Sequence, residues 1–415
     1  MLLKQLKAAA RFGLEAVNTY SQESRDALPV TRLENKTVPI AVEPTAGHLD
    51  AAIDWIKRGQ DSSATGGVAW GYRARRPVRM DLPMGWVGPY PETTGYIIPT
   101  MLRYADHCGD SDAVKRAERM AEWEMSIQLP DGGIQGGIYG STPVASSTFV
   151  TGQVIFGFVA LYNRTHDARI RTAAIKAGDW LLSCLDDTGR FVRGYSEFCS
   201  PGAKVYEIRT GLALAELADA IDVQKYRDAA SKIADFALSR QQPNGWFAEN
   251  DLDFHDQPLT HTIGYTLEGL HGLGKRLQRA DCLDAAQRTL DALIGHIHEN
   301  GYLAGRLRAN WSPAVEWVCL TGSAQIAGVF LRMYVETRKP EYFDIGRKLL
   351  GFVCFTQDLK PAIPGLDGGI RGSFPFSGDY GQWCVLNWAT KFFSDSVLEY
   401  LEIKRAFHQA DTHAR

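Results

Sequence analysis

The stretch Tyr90–Ala105, YPETTGYIIPTMLRYA, opens with a glutamate, two threonines and a glycine and then runs apolar. Its head returns down the chain. FVTGQVIFGFVALY begins at Phe149, IRTGLALAELADAI at Ile208, HTIGYTLEGLHGL at His261 and CLTGSAQIAGVFLRMY at Cys319, with NWATKFFSDSVLEYL from Asn387 as a degenerate sixth copy. The landmark glycines 95, 152, 211, 264 and 322 stand 57, 59, 53 and 58 residues apart. Near-equal periods of this length mark structural repeats.

Each period reads as two helices. The first begins at the landmark and is apolar nearly all round, as a helix buried on both sides must be. The second is amphipathic, as in DAVKRAERMAEWEMSIQ (112–128), ARIRTAAIKAGDWLLSCL (168–185) and EYFDIGRKLLGFVCFTQ (341–357), with apolar residues recurring at three and four. Turns from inner to outer helix are short. Returns from outer to inner are long, carry glycine and aromatics, and often start with Gln, as in QLPDGG (128–133) and QQPNGW (241–246). The reading is therefore an all-α (α/α)6 toroid whose inner helices start on the long-loop face. The early helix HLDAAIDWIKRGQ (48–60) partners the last inner helix (387–401) and closes the ring. An open solenoid, which would need polar end caps, is the alternative. The expected organisation is a lead-in with an N-terminal helix over 1–45, one toroid domain over 46–405, and a tail over 406–415.

Composition fits such a body. The chain has 415 residues, 45% hydrophobic and 22% charged, and a net charge of −3. There is no basic stripe, so nucleic acid is not an expected partner. Seven scattered cysteines without a CxxC pair point to a reduced, cytoplasmic protein without structural zinc. No apolar run approaches a membrane span. Leu2, Leu3, Leu6 and Leu14 form one face of an N-terminal helix, which docks on the body or makes a weak peripheral membrane contact through residues 1–20. No P-loop, GxGxxG or HExxH motif is present, and no cofactor or metal is expected. The acidic loop 247–257 lacks the glycine and terminal glutamate of an EF-hand.

Because all long loops share one face, residues just before each landmark glycine ring the mouth of the central cavity. Three positions before the glycines stand Glu92, Phe149, Ile208, His261 and Cys319, with Asn387 in the degenerate copy. Thr93 or Thr94 is a candidate helix cap. A purely structural ring would repeat like residues, whereas this one mixes acids, a base and aromatics. The candidate catalytic residues are Glu92, His261, Glu207, Glu316 and Tyr265. The candidate substrate-binding residues are Tyr96, Arg209, Tyr206, Trp317, Arg371, Asp379, Tyr380, Asn387 and Trp388. Mouth tryptophans at 70, 86, 246, 311, 317, 383 and 388 suit stacking on pyranose faces.

The set YPETTGYIIPT, QLPDGGIQGG, PLTHTIGYTL, CLTGSAQIA, GGIRGSFPF and NWATKFF resembles a family of bacterial six-hairpin toroid proteins, over about residues 45–403. That family is associated with surface-polysaccharide biosynthesis and is sometimes labelled terpenoid-cyclase- or prenyltransferase-like. The toroid also looks like those of six-hairpin glycosidases, uronate lyases and the C-terminal domain of glucuronyl C5-epimerases. The resemblance implies an enzyme acting on a sugar or uronate-containing glycan, alongside other polysaccharide-biosynthesis proteins. Two chemistries fit the ring. Epimerisation or elimination on a uronate would use Glu92, His261 or Tyr265, and Arg209 as the cation near the carboxylate. Hydrolysis would oppose Glu92 to Glu207 or Glu316. A non-catalytic glycan-binding scaffold and a terpenoid cyclase are the other readings.

Overall fold

The computed structural model describes residues 42–75, 84–196 and 199–413. The expected helix within residues 1–20 lies outside the described residues.

Twelve α-helices run through the described residues: α1 (Ala46–Asp61), then the pairs α2 (Pro91–Cys108) and α3 (Ser111–Ile127), α4 (Thr148–Thr165) and α5 (Ala168–Ser183), α6 (Ile208–Ile221) and α7 (Gln224–Leu238), α8 (Thr260–Arg276) and α9 (Ala280–Ile294), α10 (Leu320–Thr337) and α11 (Pro340–Thr356), and finally α12 (Asn387–His413). The even-numbered helices pack side by side, each against the next, and α12 packs back on α2. Each odd-numbered helix backs one inner helix, and α1 backs α12. The (α/α)6 ring is therefore closed. The last helix runs to His413.

Short strands tie the seam. Strand β1 (Gly71–Arg73) lies between β2 (Gly85–Trp86) and β5 (Cys384–Leu386), all antiparallel, with Tyr72 opposite Val385. Asn387 at the head of α12 donates from its amide to the Ala69 carbonyl at 2.8 Å and to Thr93 Oγ1 at 2.6 Å.

The landmark threonines do not cap their helices. The residue preceding α2 is Tyr90, and its side chain makes no capping bond. Thr94 instead donates back to the Tyr90 carbonyl and accepts the Val68 N–H, both at 2.9 Å. Thr151 does the same with Ser147 and Ile134, and Thr390 with Leu386 and Ile370. A hydroxyl one turn into the helix thus staples the incoming long loop to the inner helix.

The loop glutamines form a second repeated device. Gln60, Gln128 and Gln357 each donate from Nε2 to a glycine carbonyl of their own loop and to a carbonyl of the next outer helix, at 2.7–3.1 Å. One glycine per repeat, at 66, 132, 189, 245, 301 and 368, has positive φ. A Cβ there would strike the backbone of the next outer helix, at Arg119, Lys176, Lys232, Arg288, Lys348 and Ala51 in turn. The sixth contact falls on α1, so the loops close the same circle as the helices. Only glycine meets both demands, since any side chain would be strained in φ and blocked in space.

Candidate active site

The inner helices begin on the long-loop face and leave a cavity of about 300 Å³ at the ring mouth. Helix first turns place Glu92 (α2), Phe149 (α4), His261 (α8) and Trp388 (α12) in its wall, with Tyr206 just before α6 and Tyr265 one turn into α8. Long loops add Trp70, Tyr90 and Tyr380. A larger open groove runs along the outer wall between α3 and α5. In it Arg169 pairs with Glu122 and Asp167, and it lies outside the ring.

Aromatic rings form a continuous belt. Trp70 meets Trp388 edge-on at 5.1 Å, and Trp388 Nε1 donates to Tyr380 Oη at 2.9 Å. Tyr380 lies 5.7 Å from His261, which lies 4.3 Å from Tyr265. Phe149 then bridges Tyr265 and Tyr206 at 4.9 and 5.1 Å. Among the described residues lining the cavity, Glu92 is the single carboxylate and none is lysine or arginine.

Glu92 is half-buried, with only a long 3.5 Å contact from the Tyr90 hydroxyl. Desolvation pushes its pKa up to about 7, partly offset by the Tyr90 hydroxyl and the Arg209 charge. Burial pushes His261 down to about 4, against a Gln325 hydrogen bond that favours the charged form, so the imidazole is neutral at pH 7. Burial holds Tyr265 protonated well above the usual phenol range, with Glu92 adding to the effect. The buried hydroxyls of Tyr96 and Tyr265 act on each other, and no other side chain bonds to either.

Beneath the wall, Arg209 is buried among the faces of Phe156, Phe392, Tyr265 and Tyr96 at 4.9–5.5 Å. Its Nε donates to Gln153 Oε1 at 2.9 Å and its Nη1 to Glu268 Oε2 at 2.8 Å. Glu268 also accepts from Gln325 Nε2 at 3.3 Å, and Gln325 Oε1 lies 2.6 Å from His261 Nδ1. Glu268, Gln325 and Gln153 were not candidates from sequence. Their signal was there: polar residues inside otherwise apolar inner helices, one to four positions after landmark glycines 264, 322 and 152.

The other candidates scatter. Glu207 is buried just behind the wall, accepts from Thr148 Oγ1 at 2.8 Å and is pushed up to about 8 by burial. Tyr96 is fully buried under Arg209 and Lys391 and does not line the cavity. Asn387 is spent on the ring seam, and its neighbour Trp388 takes the wall position. Arg371 pairs with Asp358 at 2.7 Å. Glu316 and Asp379 are exposed and absent from the cavity wall, because each sits in a loop outside the first helical turns. Trp317 stands 6.0 Å from the Arg306 guanidinium, also away from the wall. Of the mouth tryptophans, Trp86, Trp246, Trp311 and Trp383 pack against loop or core aromatics. In the acidic loop, Asp251 pairs with Lys204 and Asp253 with Arg306, and no metal-binding group of three or more ligand side chains occurs among the described residues.

The ring and its mouth cavity place the chain among six-hairpin toroids of the glycosidase-like type. Solved structures with this fold include cellobiose 2-epimerase from Bacillus thermoamylovorans (9% identity, 84% of this chain and 96% of that one, TM-score 0.67). They include unsaturated glucuronyl hydrolase from a Bacillus species (13%, 85% and 95%, TM-score 0.64) and an alpha-amylase from Clostridium perfringens (12%, 85% and 98%, TM-score 0.61). No family model matches the sequence. No curated protein matches it either. At these identities the likeness is one of fold. No helix among the described residues is long and apolar enough to cross a membrane.

Proposed function

We propose that this chain is a sugar-active enzyme that moves a proton at a carbon next to a carbonyl: an epimerase or isomerase for a neutral mono- or disaccharide. The observation that carries the reading is the composition of one cavity wall. A single carboxyl group, pushed up to about 7, and one neutral imidazole share an aromatic cavity lined by no cation among the described residues. Aromatic faces suit a pyranose, which is apolar on its C–H face and polar at its edge. The fold neighbours named for cellobiose epimerisation, glucuronyl hydrolysis and amylase activity agree with a sugar as the ligand class.

The pair works when it holds one proton. With the open-chain sugar bound, His261 Nε2 takes the C–H proton, and the C–H electron pair moves toward the carbonyl. Negative charge then develops on that oxygen, where the Tyr265 hydroxyl in the cavity wall is a ready donor. Glu92, still protonated, returns a proton to the opposite face of the carbon. The reverse direction uses the same singly protonated pair with the roles exchanged.

Hydrolysis by two opposed carboxylates finds one carboxylate in the described wall, with Glu207 behind it and Glu316 exposed. Uronate chemistry loses its cation, since Arg209 is committed to Glu268 and Gln153. A terpenoid cyclase would need a lumen from which Glu92 and His261 turn away, and both line it. The place in surface-polysaccharide biosynthesis rests on the sequence resemblance.

Incubation with reducing mono- and disaccharides in D2O tests the reading. Deuterium should enter at the carbon beside the carbonyl and an epimer or isomer should accumulate, with both signals lost in Glu92→Gln and His261→Ala. Glycosidic cleavage without exchange would establish a hydrolase instead. Binding without either reaction would establish a glycan-binding toroid.

A further inference from the structure

The described wall leaves one feature unexplained: a string of buried polar groups running away from the cavity into the ring. His261 is neutral, and a neutral imidazole is useful as a base only if the nitrogen facing the substrate is the bare one. Which nitrogen carries the proton is set by what the other one touches. His261 Nδ1 lies 2.6 Å from Gln325 Oε1, and a carbonyl oxygen only accepts, so Nδ1 must carry the hydrogen. That holds only if the Gln325 amide cannot turn over. Its Nε2 lies 3.3 Å from Glu268 Oε2, and a carboxylate also only accepts, so the amide NH2 must face Glu268. Glu268 is ion-paired on both sides, with Arg209 Nη1 at 2.8 Å and Arg332 Nη2 at 3.6 Å. Each link fixes the polarity of the next.

We propose that Glu268 and Gln325 are positioning residues, which together lock His261 in the Nδ1–H tautomer and leave Nε2 as the free base of the site. The choice of an amide between carboxylate and imidazole has a chemical consequence. A carboxylate in direct contact with the ring would favour imidazolium and draw the base out of service near neutral pH. The amide passes on orientation without passing on the charge. Geometry thus separates two properties that an Asp–His or Glu–His pair couples: which nitrogen is bare, and how readily the ring charges.

The titratable and charged groups packed around His261 are Glu92 on α2, Arg209 on α6, Glu268 and Tyr265 on α8 itself, Arg332 on α10, Lys391 on α12, and Tyr380 from the last long loop. The Arg209 charge opposes a charged imidazole, and the Gln325 contact favours it.

The inference rests on His261 acting as proposed, but its test does not depend on turnover. Ring-nitrogen NMR of the full chain, with His261 assigned by comparison with His261→Ala, reads the tautomer directly. Wild type should show a protonated Nδ1 and a bare Nε2, with no titration above about pH 5. Gln325→Leu should shift the ring toward the Nε2–H form, cut kcat by tenfold or more and leave KM within about twofold. Gln325→Glu should keep the Nδ1–H tautomer but raise the His261 titration midpoint by more than one pH unit, carrying the acid limb of the rate profile with it. A protonated Nε2 in wild type overturns the proposal, as does an unmoved midpoint in Gln325→Glu. Should Gln325→Leu fail to fold, wild type and Gln325→Glu still decide. If the tautomer is as stated and no sugar is ever turned over, the relay stands and the proposed reaction falls.

Discussion

Two polar regions sit on the same inner helices and are built oppositely. At the rim, polar groups are left open: the Tyr265 hydroxyl faces the cavity wall and Glu92 has one long contact. Further along the helices, charges are joined in pairs. Lys391 meets Asp395 at 2.7 Å, and Asp395 also accepts from Thr100 at 2.8 Å. Arg332 stands 3.6 Å from both Glu268 and Glu399, while Arg103 meets Glu402 at 2.9 Å. Paired charges cost little once formed and much when broken, so they belong to the scaffold. Unpaired groups that line a cavity hold desolvation cost that a ligand can relieve, so they are the ones to assign to the site.

The contrast is broken or sharpened by experiment, beginning with the largest effects. Glu92→Gln should lower turnover about 10²- to 10⁴-fold while the melting temperature holds or rises. A variant that melts early would move Glu92 to the scaffold. Asp395→Leu should do the reverse. It strands the buried Lys391 cation and should cost roughly 3–5 kcal/mol in denaturant unfolding; a loss below about 1 kcal/mol would remove the axis pairs from the structural account.

The rate profile gives the next effect. A singly protonated pair works between the two midpoints, so kcat/KM should rise above about pH 4 and fall above about pH 7. Glu92→Asp should move the alkaline limb, and an unmoved limb would assign it to another group. The same shift has a stability sign. The folded state binds Glu92's proton more tightly than the unfolded chain does. Its contribution is therefore greatest below the ordinary 4.5 and declines with rising pH until it levels off above about 7.

Glu124 on α3 sharpens the contrast away from the rim. It is fully buried, neither carboxyl oxygen has a partner, and burial alone raises its pKa well above 4.5. Burial thus favours the protonated carboxyl in the folded state. Glu124→Gln should stabilise the chain increasingly as pH rises above 4.5, with no gain at pH 4 and no change in activity. A gain independent of pH would point to packing instead. The smallest effect is expected at Glu316 and Asp379, where Glu316→Gln and Asp379→Asn should leave both turnover and stability within error, because both side chains stand in solvent.

The repeats made the ring legible early. Landmark glycines at near-constant spacing and an unpartnered helix before the first of them were enough to expect six hairpins and a closed seam. Half of the ring position was legible too, since Glu92, Phe149 and His261 do face the cavity. At the other three repeats the same position points elsewhere. Asn387 turns to the seam, Cys319 is buried where β3 (Val318–Cys319) meets α10, and at α6 the wall residue is Tyr206, two positions earlier. A shift of one residue at a helix start turns a side chain by about 100 degrees, and loop length, which varies between repeats, sets that shift.

What the sequence alone determined is therefore the scaffold: period, helix pairing, the face that carries the long loops, and the glycines that let neighbouring elements touch. These follow from local patterns that repeat, and repetition makes them readable. Only the tertiary structure decided which polar residues share a cavity, that Arg209 answers to Glu268 before any substrate, and that Gln325 stands between a carboxylate and His261. Those contacts join positions 57–64 residues apart, and hydrogen-bond partnership at that range depends on distances and orientations fixed only when the ring closes.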